Sequence, residues 1–324
     1  MDTKRHSRTN SKWRYTSLPI INPPKEKIDF QGLIGIGSCF ARNFNRWLDY
    51  SGLIKEQMPW DILYNPFSMS MEIIRLFEQV DWQAGIISEK EDSKLINQFR
   101  DPWRTWASFN SISELERAND SFSRNAKKII KQATCFLFTF GLSEIWSHKE
   151  DDNLIVNQLP LEIIKDVSSP WQSRFAEVDE IEGVVLRLVK TIKENYGSDF
   201  PIIFTVSPVP LKYTFSGLPI REANNISKST ILIALHKVIN MTENIYYFPA
   251  YEIVQALVEQ NFPVWQNDGR HITAAIVNLI SNLLFDNFSD KKDRKKSFSD
   301  FWVPFVNSQG KITGRLYVNG EFSH

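Results

Sequence analysis

The chain has 324 residues, and its 38 Lys and Arg residues balance 38 Asp and Glu, so the formal charge is zero. Zero charge argues against a general nucleic-acid binder, which needs a basic excess to neutralise a run of phosphates. With 42% hydrophobic and 13% aromatic residues the chain can build a large core and is not a disordered polymer, and no apolar run reaches the roughly 18 residues of a membrane-spanning helix.

Residues 1–28 open with the basic, Ser/Thr-rich stretch MDTKRHSRTNSKWRYTS, lack the apolar segment of a secretory signal, and read as a loose arm. Two cysteines, Cys39 and Cys135, make neither a disulfide framework nor a Cys-rich zinc site, and point to a cytoplasmic protein. Over residues 29–289, short apolar runs rich in β-branched residues alternate with longer amphipathic segments, the pattern of βα units around a parallel sheet. The first strand is Leu33 to Gly37, followed by a turn at Gly37-Ser38 and a helix from Phe40 to Tyr50. A second strand is expected over Leu53 to Gln57, then a loop up to Pro66, which suits the first turn of a helix to Gln79. The stretch from Asp81 to Asn110 reads as irregular and carries the tryptophan-rich Phe99 to Trp106.

A helix from Ser113 to Gln132, with Ser113 and Glu116 as a capping box, leads to a plainly buried strand, Thr134 to Phe140, stopped by Gly141. Residues 145–160 read as a hairpin or excursion, 178–196 as a helix, and Pro201 to Ser207 as a strand. A helix beginning after Asn225 precedes a last strand, Ile245 to Phe248, and a helix from Ile272 to Phe288 closes the core. Residues 290–324 form an appendage. Its charge run, Lys291 to Lys296, reads as a solvated turn, with a membrane-surface or anionic-partner contact as the alternative, and a hairpin-like piece runs from Gly310 to Gly320.

Two motifs carry chemistry, Gly35-Ile36-Gly37-Ser38-Cys39-Phe40 after the first strand and Asn267-Asp268-Gly269-Arg270-His271 before the last helix. A serine at a strand-to-helix turn exposes its hydroxyl at the carboxyl edge of a sheet, where nearby N–H groups face a developing oxyanion. Such a hydroxyl is a weak nucleophile until a base accepts its proton. Of the five histidines, His6 and His324 lie at the termini, His236 in a helical pattern and His148 in the excursion. His271 has a carboxylate three residues before it, at a loop-to-helix junction. Ser38, Asp268 and His271 thus form the serine-nucleophile constellation of this chain, with Asp268 holding the imidazole tautomer. Spacing alone leaves open a capped turn at Ser38 and a surface Asp-x-x-His cap.

The run Gly37-Ser38-Cys39-Phe40-Ala41 resembles the name motif of the GSCFA-domain family. Tyr64 to Ser68, Thr139 to Glu144, Thr205 to Pro210, Ala223 to Lys228, Tyr247 to Glu252 and Asp268 to His271 resemble it in the same order. That family resembles the SGNH hydrolases. The resemblance implies a three-layer α/β/α, flavodoxin-like fold with a central parallel sheet in the order 2-1-3-4-5. It also implies Ser38 as nucleophile and Asp268 and His271 as the paired Asp-x-x-His. Where the SGNH pattern has Gly-x-Asn-Asp, this chain has Gly141-Leu142-Ser143-Glu144. The Ser143 hydroxyl or the Asn65 amide is then the expected replacement for the oxyanion asparagine, beside the N–H groups of Ser38 and Gly141.

The activity expected from these residues is that of a serine-dependent esterase or O-acyltransferase on short acyl esters of carbohydrates or glycan precursors. No cofactor is implied beyond acetyl-CoA as acyl donor in the transferase case, and no metal, since no His/Cys/Asp cluster has ligand spacing. A catalytically inactive glycan- or partner-binding protein is the alternative. Trp60, Trp103, Trp106 and Trp146 fall in loops or junctions, where they either stack on sugar rings or fill the core. Asn224 and Lys228 are expected to touch substrate or, for Asn224, to cap a helix. Cys39 is a rival nucleophile or a small buried hydrophobe, Cys135 is packing, and Glu144 is a second acid/base or an ion-pair partner of Arg100, Arg104 or Lys228.

Overall fold

The computed structural model describes residues 18–50, 52–53, 59–90, 97–290, 302–306, 312–317 and 322–323. The first strand, β1 (Leu33–Gly37), runs directly into α1 (Cys39–Tyr50). In α1 the apolar side chains Phe40, Phe44, Trp47 and Leu48 recur at helical spacing and all are buried. Leu53 is buried but sits in a coil, its N–H bonded to the Leu48 carbonyl, and the rest of the expected second strand lies outside the described residues. Asn65 caps α2 (Pro66–Ile74), and Pro66 stands in its first turn. This helix stops short of Gln79 because Arg75 ends it, folding its N–H back to Met71 and Ile73.

The stretch expected to be irregular contains an antiparallel pair, β2 (Ile87–Lys90) and β3 (Asn97–Arg100). The next helix, α3 (Ile112–Ile130), begins two residues' reach before the expected cap. Ser111 is its N-cap and accepts from the Glu114 N–H at 3.2 Å, while Glu114 accepts from Asn110 N–H at 3.1 Å. The working pair is therefore Ser111/Glu114, not Ser113/Glu116, since Ser111 has the extended backbone that an N-cap needs.

β4 (Cys135–Phe140) leads into the excursion, which is larger than a hairpin: β5 (Glu144–His148) pairs antiparallel with β6 (Asp151–Val156) on one side. After a short helix, α4 (Leu161–Lys165), it pairs with β7 (Trp171–Phe175) on the other. Then come α5 (Val178–Tyr196), β8 (Ile202–Val206), α6 (Ile220–Met241), β9 (Ile245–Tyr247), α7 (Ala250–Glu259) and α8 (Ala274–Phe288). The described part of the appendage is a three-stranded sheet, β10 (Trp302–Val306), β11 (Ile312–Tyr317) and β12 (Phe322–Ser323), in which β11 is central. The charge run from Lys291 to Lys296 and most of the N-terminal arm lie outside the described residues.

The main sheet is parallel, in the order β1-β4-β8-β9. Its strands are apolar on both faces because helices cover both. Leu33, Cys135, Leu137 and Ile203 pack with α1, α7 and α8, while Ile36, Phe138, Phe204 and Val206 pack with α2, α3, α5 and α6. A doubly covered parallel sheet reads as continuous apolar sequence for this reason. No described helix is long and apolar enough to cross a membrane.

All four tryptophans were expected in loops or junctions, stacking on sugar or filling the core, and Trp60 and Trp103 lie in loops and fill the core. Trp60 and Trp103 are buried, and both N–H groups are used inside, Trp60 on Glu72 at 3.1 Å and Trp103 on the Ile155 carbonyl at 3.2 Å. They wall a buried ion network. Glu72 pairs with Arg104 at 2.8 Å and with Arg75, and Arg75 pairs with Asp101 at 2.8 Å. Burial opposes the charge on Asp101, yet Arg75 and Arg104 hold its carboxyl below the usual range. The segment Asp101 to Arg104 is therefore an internal anchor: Asp101 also accepts the N–H groups of Trp103 and Arg104. Removing one member strands a buried charge, so Arg104→Met is expected to cost about 3–5 kcal/mol in urea unfolding, and a loss under about 1 kcal/mol would contradict the network.

Candidate functional site

The turn after β1 is built on a residue that must lack a side chain. Gly37 has φ 137°, and a Cβ there would meet the Thr139 carbonyl oxygen at 2.4 Å. That close approach lets the next residue bond to β4. The Ser38 N–H donates to the Thr139 carbonyl at 3.2 Å and hydroxyl at 3.1 Å. The Ser38 hydroxyl is nearly buried, donates to the Ser207 hydroxyl at 2.9 Å, shares a 3.2 Å hydrogen bond with Thr139 Oγ1, and accepts from the Phe40 N–H at 3.3 Å. Ser38, Gly141 and Ser207 follow the carboxyl ends of β1, β4 and β8, the edge at which open parallel sheets bind ligands. They line one cavity of about 290 Å³, with Tyr64, Trp146 and Arg270 in its wall.

Asp268 and His271 meet as their spacing implies. The carboxylate accepts the N–H groups of Arg270 and His271, each at 3.0 Å, and lies 2.5 Å from His271 Nδ1. The two backbone bonds and the ring bond hold its pKa well below the usual carboxylate range, the Arg270 N–H first among them. An ionised carboxylate can only accept, so Nδ1 carries the proton and Nε2 the lone pair. That lone pair faces the Arg270 guanidinium, with Nη2 at 3.1 Å, while Nη1 donates to the Pro210 carbonyl at 3.3 Å. Ser38 and His271 share no hydrogen bond: Arg270, which lines the cavity, connects the imidazole to it.

The expected oxyanion donors are engaged elsewhere. Ser38 N–H goes to Thr139, and the Gly141 N–H goes to the Tyr64 carbonyl at 3.2 Å. The Asn65 side chain is spent as the α2 cap and as a clamp on the carbonyls of Val156 and Asn157. Ser143 is fully buried outside the cavity wall; its N–H bonds to Ser227, and its hydroxyl has no partner among the described residues. Tyr64 and Gln158 are among the donors of the wall that make no side-chain hydrogen bond to the described residues, as are Trp146 and Tyr213. Burial pushes the Tyr64 phenol up, so it stays protonated.

Of the expected substrate contacts, Trp146 lines the cavity, its ring 5.0 Å from that of Phe215. Trp106 packs on Phe122 and lines a second cavity of about 300 Å³ that shares Tyr64, Asn157 and Gln158 with the first. Asn224 and Lys228 do not begin a helix: α6 starts at Ile220, and both lie within it. Asn224 holds the Leu211 N–H at 3.2 Å, and Lys228, buried, donates to the Gly141 carbonyl at 2.7 Å. Glu144 is in the wall but pairs with no cation; it accepts from the Phe215 N–H at 2.6 Å and from Ser173 at 3.0 Å. Burial raises the Cys39 thiol pKa against the pull of Arg270 and Lys228, which leaves a protonated thiol rather than a rival nucleophile. Cys135 is buried and free. No group of three His, Cys, Asp or Glu among the described residues is arranged to hold a metal.

Sequence reading missed Arg270 and the hydroxyl pair Thr139 and Ser207 around Ser38. The signal was present for all three, since each stands inside a motif already singled out.

Burial pushes Lys228 down to about 7 from its ordinary value of 10.5. Between these values the unfolded chain binds more protons than the folded one, so folding gains stability as pH rises through that window. Relative to Lys228→Met, the wild-type protein is expected to gain urea resistance from about pH 7 to about pH 10 and to show a constant difference below about pH 6. A pH-independent difference would place the ammonium group in water.

The model of the GSCFA family matches residues 32–283. No curated protein and no solved structure matches the chain. The matched span takes in the whole described parallel sheet, the Ser38 turn and the Asp268–His271 pair, and the chain belongs to the GSCFA family.

Proposed function

We propose that the protein is a serine-dependent esterase or O-acyltransferase that acts on short acyl esters of carbohydrates or glycan precursors. The carrying observation is that Ser38 belongs to the wall of a cavity whose other wall residue, Arg270, is hydrogen-bonded to the free nitrogen of an imidazole fixed by Asp268. Arg270 thus touches the base and shares a cavity wall with the nucleophile.

In this reading Nε2 of His271 accepts the Ser38 proton as the oxygen attacks the ester carbonyl, and Asp268 stabilises the imidazolium. The alcohol leaves with that proton, and an acyl-serine remains. Water then takes the acyl group in hydrolysis, or a sugar hydroxyl takes it in transfer, with acetyl-CoA as the donor that loads the serine in the latter case. Tyr64 and Gln158 are neutral wall donors that can serve the oxyanion, a service on the order of 3 kcal/mol per donor. The second cavity supports a carbohydrate acceptor, since Trp106 offers an aromatic surface beside the polar groups of Asp61 and Thr105. Two free, buried thiols suit a reducing compartment.

A second reading, a binding protein on the same fold, draws on the Ser38 hydroxyl donating to Ser207 instead of to a base. A serine-reactive fluorophosphonate separates the two. The esterase reading predicts labelling on Ser38 that is absent in Ser38→Ala and retained in Cys39→Ser. A wild-type protein that resists the probe as fully as Ser38→Ala overturns it. Trp106→Ala is expected to raise KM for an acetylated oligosaccharide about threefold to tenfold with kcat unchanged, whereas an unchanged KM would exclude the second cavity from substrate binding.

A further inference from the structure

Arg270 is oddly placed for a cation. Its guanidinium has no carboxylate within ion-pair reach among the described residues. Its two side-chain hydrogen bonds go to neutral acceptors, the His271 ring and the Pro210 carbonyl. A guanidinium has five N–H donors in a planar fork, so three remain. The cavity wall holds a second cation, Lys212, and a single carboxylate, Glu144, already occupied by Phe215 and Ser173. Arg270 and Lys212 outnumber the one carboxylate of the wall. The cavity is thus biased toward negative ligands, and Arg270 is the group in it best shaped to take one.

The same guanidinium is an obstacle where it stands. It occupies the lone pair that must receive the Ser38 proton. A carboxylate or phosphate takes the Arg fork through two parallel N–H···O bonds with both partners charged, whereas the imidazole and the carbonyl each take one N–H and carry no charge. An anion in the cavity therefore outcompetes the imidazole and the carbonyl for the fork.

We propose that Arg270 is the specificity residue and the latch of this site: it takes a carboxylate or phosphate carried by the ester substrate, and in turning to it releases His271 Nε2 toward Ser38. The substrate class narrows accordingly to acyl esters of acidic or phosphorylated sugars. The latch half rests on the esterase reading, whereas the anion half does not depend on any reaction.

The anion half is tested by Trp146 fluorescence or calorimetry with glucuronate, glucose 6-phosphate and glucose. Wild type is expected to bind at least one anionic sugar about tenfold more tightly than glucose, a difference of about 1.4 kcal/mol. Glucuronate against glucose 6-phosphate tells a carboxylate from a phosphate source. The preference should vanish in Arg270→Gln and persist in part in Arg270→Lys. Equal affinities in wild type, or a preference that survives Arg270→Gln, overturns it. The latch half is read from the labelling rate of Ser38 by an uncharged fluorophosphonate. Arg270→Gln is expected to label about tenfold faster than wild type, an increase that damage to the fold would not give. Slower or equal labelling overturns the latch. Anion preference without labelling of either protein overturns the latch and the esterase reading together, and leaves the anion site standing.

Discussion

The tie between the ends of β1 and β4 governs the whole carboxyl edge of the sheet. Gly37 permits the two backbones to approach, and the Ser38 N–H closes on the carbonyl and hydroxyl of Thr139. That contact delivers the Ser38 hydroxyl to the cavity wall. Gly141 and Ser207, at the ends of the two neighbouring strands, complete that wall because the parallel register brings all three strand ends level.

Behind this edge the protein is held by two different kinds of burial. The sheet is sandwiched between apolar helix faces, which stabilises without choosing a chemistry. Beside it, the ion network of Glu72, Arg75, Asp101 and Arg104 fixes the loop after β3 against α2 and α3. Such a cluster contributes little net stability but punishes any partial loss, and so it specifies one arrangement of the loop. Asn65 and Asn157 then link α2, the loop before it and the end of β6. The Tyr64 side of the cavity is therefore a rigid wall.

Much of this was legible in the residues. Leu33 to Gly37, Cys135 to Phe140 and Ile202 to Val206 are near-continuous apolar runs, interrupted only by Thr139 and Thr205, because both faces are covered, and the helix over 178–196 coincides with α5. The Asp268–His271 contact was legible too, being local. β2 and β3 were not: Ile-Ser-Glu-Lys and Asn-Gln-Phe-Arg carry no strong alternation, and their pairing comes from the chain around them. Core filling by Trp60 and Trp103 was among the readings, but the ion network that they wall was not, since its charges are gathered from α2 and from the loop after β3. Arg270 stood inside a motif in plain view, but its contacts were not legible, since one of them is a carbonyl sixty residues earlier in the chain. Residue type announced the Ser38 turn and the Asp268–His271 pair, and long-range packing decided what Arg270 touches.

The most direct test is a crystal structure of the protein after reaction with a phosphonate ester. The account predicts phosphorus bonded to Ser38 Oγ, His271 Nε2 hydrogen-bonded to the adduct, and the Arg270 guanidinium withdrawn from the ring. An unmodified Ser38, or an adduct formed with Arg270 still bonded to Nε2, would contradict it.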